Sequence, residues 1–262
     1  MAKFPYSSAA SPTAALSSHL RSNWTTAIRT SDSPPFTTIK GALDSFNSML
    51  CLNPRPPAAK FCQIFAFLVK MNAYEAAVSV SRRMDSAGLV FDLFKFTALI
   101  RCFCKLGRVG FAFSVLGKIF KLGHQPDVVT FNILIDGLCK DGKVTHAAKL
   151  MDKIVSLGFQ PDVITYSSII NGLCKMGETS AAQRLLEKME DGGCQPDVVT
   201  YSTVIDSLCK DGLISEALDE FYKMKDKKRS PNVVSYSCLI HGLCVSSRKN
   251  EAILLIIEIQ IH

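Results

Sequence analysis

The chain has 262 residues, of which 48% are apolar and 20% charged; Lys and Arg total 30 against 23 Asp and Glu, a net charge of +7. That composition supports a buried core and excludes a disordered acidic or basic polymer, while the positive excess suits a polyanionic partner. Ten cysteines without an apolar signal-peptide core argue against a secreted disulfide scaffold, and no uncharged apolar run reaches the ~18 residues of a membrane span.

Residues 1–38 are rich in Ser and Thr, carry Lys3, Arg21 and Arg29, and hold no acidic residue before Asp32. A basic, hydroxyl-rich, acid-poor start reads as an organelle transit peptide, with the mitochondrion preferred to the chloroplast. An ordinary tail is the plainer reading, and Ser33, Pro34 and Pro35 serve as a linker in both. Residues 39–57 follow as a partial N-terminal repeat, with Ala42, Met49 and Pro56 in the register of the units behind them.

From residue 58 onward the sequence repeats. Phe96-TALIRCFCKLGR, Phe131-NILIDGLCKDGK, Tyr166-SSIINGLCKMGE, Tyr201-STVIDSLCKDGL and Tyr236-SCLIHGLCVSSR begin 35 residues apart. The units are 58–92, 93–127, 128–162, 163–197, 198–232 and an incomplete 233–262. Cys104, Cys139, Cys174, Cys209 and Cys244 keep the step, as do Ala77, Ala112, Ala147, Ala182, Ala217 and Ala252. A period of this size means a solenoid, whose units stack because none can bury its apolar face alone.

Each unit holds two helices. Phe131, Leu134, Ile135, Leu138 and Cys139 fall on one helical face, and Ala147, Ala148, Met151, Ile154 and Val155 form the buried face of a second. Thr130, Thr165, Thr200 and Ser235 are expected to cap the first helix. Gly107, Gly142, Gly177 and Gly212, with Asn72 in the loosest copy, are expected to end it. Pro126, Pro161, Pro196 and Pro231 close the unit. The fold class is all-α, a solenoid of helix-turn-helix hairpins.

The 35-residue step, and the confinement of the single Trp to the leader, separate this pattern from the 34-residue tetratricopeptide repeat. Val128-VTFNILIDGLCKDGKV and Gly158-FQPD resemble the pentatricopeptide repeat family over residues 58–262, and in detail the pure 35-residue subclass that includes restorer-of-fertility-like proteins. The resemblance implies a right-handed superhelix that binds single-stranded RNA at about one base per repeat, read by two or three side chains. It places base reading on the fifth residue of each unit (Thr97, Asn132, Ser167, Ser202 and Ser237) and on the last (Asp127, Asp162, Asp197 and Asn232). It places base wedging on the second: Phe94, Val129, Ile164, Val199 and Val234. Thr97 with Asp127, Asn132 with Asp162, Ser167 with Asp197 and Ser202 with Asn232 together imply a core 5′-GUGA-3′. A carboxylate, which only accepts, suits the imino N–H of guanine or uracil. Near a helix start such polar residues also serve as simple caps; with the threonines assigned to that duty, the fifth position requires another role.

Lys70, Lys105, Lys140, Lys175 and Lys210 share one phase and read as a phosphate track, although a Lys at a helix C-terminus is also favourable with the dipole. The cysteine ladder carries no zinc spacing and reads as small core residues. His124, His146 and His241 fall at different phases. No catalytic motif, metal-ligand set or cofactor loop is present, so the chain reads as a binding protein and not an enzyme, with no cofactor and no membrane partner. A peptide-binding scaffold and a truncated paralogue with weak RNA binding are the alternatives. The final helix, Glu251-AILLIIEIQIH, is apolar on nearly every side and lacks a capping face, so self-association or a protein partner is expected there, as if the gene product were unfinished.

Overall fold

The computed structural model describes residues 36–89 and 92–261. The leader read over 1–38 therefore lies outside the described residues except for its last three. The described residues form thirteen α-helices of 13 residues each and no strand. None of these helices is long and apolar enough to cross a membrane. They fall into two compact units, Met1–Val90 and Phe91–His262.

The first unit holds α1 (Ile39–Cys51), α2 (Ala58–Lys70) and α3 (Tyr74–Ser86). Helix α1 begins 35 residues before α3, and Ala42 and Ala77, at the same phase, are both fully buried. Phe46 and Phe61 meet edge to face at 5.6 Å, and the Arg83 guanidinium lies 5.0 Å from the Phe46 ring centre. Asn72 takes the left-handed turn after α2 at φ 56°, the role its side chain tolerates.

The second unit is a stack of five hairpins. Its first helices are α4 (Leu93–Lys105), α6 (Val128–Lys140), α8 (Val163–Lys175), α10 (Val198–Lys210) and α12 (Val233–Val245). Its second helices are α5 (Val109–Lys121), α7 (Val144–Ser156), α9 (Thr179–Asp191), α11 (Ile214–Asp226) and α13 (Lys249–Ile261). Each first helix packs on its own second helix and on the first helix of the next hairpin. The alanines at the 35-residue step are buried at the hairpin crossings, where a small side chain permits close approach. The first helices end as the sequence leads one to expect: Gly142 adopts φ +72°, and Lys143 N–H donates to Leu138 C=O at 2.9 Å, returning the chain into α7.

The start of the first helix corrects the sequence expectation. The cap is not the threonine but the residue three earlier: Asp127 sits in extended conformation and its Oδ1 accepts from Thr130 N–H at 2.8 Å. Asp92, Asp162, Asp197 and Asn232 do the same. Thr130, Thr165, Thr200 and Ser235 lie one turn inside, buried. A carboxylate or amide reaches the orphan amide from outside the helix; the hydroxyl hydrogen-bonds to that cap side chain, and at Thr165 and Ser235 it also accepts from the cap's N–H to complete a capping box.

At three of the four junctions successive first helices approach closely with glycine facing cysteine; between α8 and α10 the small Ser207 takes the glycine's place. A Cβ added at Gly137 would lie 2.6 Å from Cys104 Sγ, and one at Gly172 would lie 3.0 Å from Cys139 Cβ. Burial pushes the Cys104 and Cys139 thiols up to about 11, so they stay protonated as packing groups. Farther along, Tyr201 is fully buried and its hydroxyl donates to Glu190, which also meets Lys227 at 2.7 Å and Lys223 at 3.3 Å. Burial works against the Glu190 charge, but Lys227, Tyr201 and Lys223 outweigh it and hold the carboxyl below its usual range.

Helix α13 exposes Ile253, Leu254, Ile256, Ile257 and Ile259. Three of these, Ile253, Ile256 and Ile259, correspond by the 35-residue step to Leu218, Phe221 and Met224 of α11, which are buried. Phe221 shows what covers such a face: Tyr236 of the following first helix meets it edge to face at 5.1 Å.

Two glycine substitutions of opposite sign test the stacking. Gly137→Ala should lower stability by about 1–3 kcal/mol through overpacking against Cys104. Gly117→Ala, in open space on α5, should raise it by up to about 1 kcal/mol through helix propensity. Thermal or urea denaturation of the two variants checks both signs.

Candidate nucleic-acid interface

The caps and the fifth residues meet across every junction of first helices in the second unit. Between α4 and α6, Thr97 Oγ1 lies 2.9 Å from Thr130 Oγ1, and Thr130 Oγ1 donates to Asp127 Oδ1 at 2.7 Å. Between α6 and α8 the contact is direct: Asn132 Nδ2 donates to Asp162 Oδ1 at 3.0 Å and Oδ2 at 3.2 Å, and Thr165 Oγ1 donates to Asn132 Oδ1 at 2.6 Å. Between α8 and α10, Ser167 Oγ lies 2.7 Å from Thr200 Oγ1, which donates to Asp197 Oδ1 at 2.7 Å. Ser202 Oγ lies 2.7 Å from Ser235 Oγ, which donates to Asn232 Oδ1 at 3.1 Å. The fifth and last residues of one unit, 30 positions apart in sequence, are thus joined directly or through one hydroxyl.

Burial along this seam is uneven. Asn132 and Ser202 keep only 7% and 5% of their surface, Thr97 and Ser167 are half-buried, and Ser237 is exposed. The hydroxyls of Thr97, Ser167 and Ser202 also lie within hydrogen-bond reach of carbonyls one turn back, those of Leu93, Val163 and Val198, which compete with the seam for the single hydroxyl proton. The expectation that the fifth position is spare once the threonines cap the helix therefore does not hold: each of these side chains has structural partners. Asp127, Asp197 and Asn232 are exposed while Asp162 is half-buried. In Asp127 and Asp197 both cap bonds fall on Oδ1, so the second oxygen keeps its capacity to accept.

Beside the seam runs a row of exposed apolar side chains. Phe94, Val129, Ile164, Val199 and Val234 are 41%, 40%, 62%, 64% and 56% exposed, all at the second position of their unit. The shared phase accounts for this: the residue lies in the first turn of each first helix, outside the buried face of that helix. Exposed aliphatics spaced by one hairpin form a set of identical apolar surfaces along the stack.

The lysines close each first helix and all five are exposed. Two are tied locally, Lys140 to Asp136 at 2.6 Å and Lys210 to Asp206 at 2.5 Å. Exposed i,i+4 pairs of this kind are worth only about 0.3–0.5 kcal/mol. The neighbouring Lys140 lowers the Lys105 pKa, with burial adding to the effect. Sequence reasoning passed over Asp136 and Asp206, although the Asp-to-Lys spacing of four in both units carried the signal. Among the described residues no group of three or more His, Cys, Asp or Glu gathers to hold a metal ion.

The comparisons with known proteins agree with the repeat and the fold. A sequence model of the PPR repeat family matches residues 92–140, 126–175, 168–210 and 197–245, and one of the PPR repeat matches 234–261. A mitochondrial pentatricopeptide repeat-containing protein of Arabidopsis thaliana is 36% identical over 72 residues, 28% of this chain and 14% of the relative. The crystal structure of the pentatricopeptide repeat protein PPR10 from maize superposes with a TM-score of 0.72 at 25% identity, covering 84% of this chain and 31% of that one. The same maize protein in complex with an 18-nt psaJ RNA element gives a TM-score of 0.69, with 82% and 31% covered. The chain thus spans less than a third of the length of each of these relatives.

The cap assignment is open to direct test. Asp197→Ala should cost about 1 kcal/mol of stability, while Asp197→Asn, the residue found at 232, should cost little. Chemical denaturation of the two variants distinguishes a cap from a residue that only faces solvent.

Proposed function

Because the chain belongs to the pentatricopeptide repeat family, we propose that it binds single-stranded RNA along the row of second-position side chains. The observation that carries this reading is the exposure of Phe94, Val129, Ile164, Val199 and Val234 at one phase. An apolar surface repeated once per hairpin suits unstacked bases, and the maize relative is an RNA complex at nearly the same fold. The net charge of +7 favours the same partner.

In this proposal the base settles against the apolar side chain and its edge turns toward the seam. Asp127 and Asp197 offer their second oxygen to an imino N–H, in keeping with guanine at the Thr97 and Ser167 units. Asn132 and Ser202 act chiefly by fixing the position and polarity of the seam, and Asn132 reads uracil through what its Asp162 contact leaves open. The core 5′-GUGA-3′ and membership of the pure 35-residue subclass belong to this reading. So does an organelle, the mitochondrion before the chloroplast, where the bound protein would affect transcript processing, stability or translation by occupying RNA, without chemistry of its own. The composition of residues 1–38 and the mitochondrial relative support the compartment.

Ile164→Asp with Val199→Asp tests the row. Both residues are more than half exposed, so melting should not change, while RNA affinity should fall at least ten-fold, given stacking worth ~1–3 kcal/mol per base. RNA selection with the wild-type chain should enrich the GUGA core. Enrichment of unrelated sequences would remove the base assignments, and unchanged affinity in the double variant would remove the row.

The exposed isoleucines of α13 support association with a second copy of the chain through that helix. Light scattering should then give a mass that rises with concentration; a monomer at high concentration contradicts it.

A further inference from the structure

The lysine track is not uniform, and the ninth residue of each unit is what varies. In the second unit of the fold the ninth residues are Arg101, Asp136, Asn171, Asp206 and His241, each four positions before Lys105, Lys140, Lys175, Lys210 and Val245. Helical spacing puts the two on one face, and where the ninth residue is Asp the pair closes. Lys140 lies 2.6 Å from Asp136, and Lys210 lies 2.5 Å from Asp206, whose other oxygen accepts from the Cys238 thiol at 3.4 Å. Arg101 adds a second cation beside Lys105, Asn171 puts no carboxylate four residues before Lys175, and the last unit has Val245 in place of the track lysine.

We propose that Asp136 and Asp206 are positioning residues that withdraw Lys140 and Lys210 from the RNA backbone, so that phosphate contact concentrates on Arg101 with Lys105 and on Lys175. This rests on the RNA-binding reading above and adds a property of this chain's own residues. A lysine that already holds a carboxylate attracts little additional counterion, and a phosphate arriving there releases little. The tract is therefore strongly cationic where Arg101 and Lys105 sit and close to neutral at alternate steps beyond. Asp136, ion-paired to Lys140 at 2.6 Å, also acts through space to favour the charged form of Lys105.

The test is the salt dependence of binding to a single-stranded RNA carrying the GUGA core, measured between 50 mM and 200 mM salt. Asp136→Asn and Asp206→Asn each free one lysine, and each should steepen the slope of log affinity against log salt by up to about 0.7, an extra two- to three-fold change over that range. Lys175→Ala should flatten the slope by a comparable amount, and Lys140→Ala by less than half of it. Melting temperatures should stay within a degree or two of wild type, since exposed pairs contribute little. Equal effects of Lys140→Ala and Lys175→Ala, or unchanged slopes in the Asp variants, would overturn the proposal while leaving RNA binding intact. Failure of the wild-type chain to bind the RNA at all would overturn the RNA-binding reading and this inference with it.

Discussion

Everything on the candidate interface depends on how closely one first helix lies against the next. The glycine at position 137 leaves no room for a Cβ beside Cys104, and Gly172 and Gly242 repeat the arrangement against Cys139 and Cys209. That approach brings the hydroxyl at the third position of one unit onto the fifth residue of the unit before it, and the carboxylate cap completes the chain of hydrogen bonds. Beside the closed seam the second residue of each unit stays 40–64% exposed to solvent. A buried polar seam and an exposed apolar row thus run side by side along the stack. Each hydrogen bond adds about 1 kcal/mol, and the greater effect is on register, because slipping one hairpin would leave buried hydroxyls and an amide without partners.

Much of the architecture was legible in the residues. The 35-residue step gave the helix count per unit, the glycine stops and the buried alanines, because period and composition act through local backbone preferences. The cap was misassigned for a physical reason: Asp-x-x-Thr contains two residue types that both satisfy orphan amides, and only the extended conformation of the Asp decides between them. The burial of Asn132 and Ser202 was not legible either. Periodicity fixes the face on which a side chain lies, but not how near the next helix comes, which here follows from glycine and cysteine contacts between units. The pairing of Lys140 and Lys210 was readable from the four-residue spacing and was passed over in favour of the lysine ladder itself.

The solenoid also explains why binding and stability separate in this protein. Residues that hold the hairpins together, such as Tyr201 with Glu190 and the alanines at the crossings, lie within the stack. The second-position side chains lie at its surface, 40–64% exposed. A repeat array can therefore alter one surface residue per unit and change what it binds without altering how it folds. The seam stands between these two classes: Asp127 and Asp197 cap helices with one oxygen and offer the other, so their substitution touches both properties.

The central claim is that bases lie against the exposed aliphatics of the first helices. Methyl-selective NMR on the chain bound to single-stranded RNA measures this directly, through intermolecular nuclear Overhauser effects. The account predicts cross-peaks from the methyl groups of Val129, Ile164 and Val199 to aromatic base protons, one base for each hairpin. Base contacts confined to other faces of the stack, with these methyl resonances unmoved on RNA binding, would contradict it.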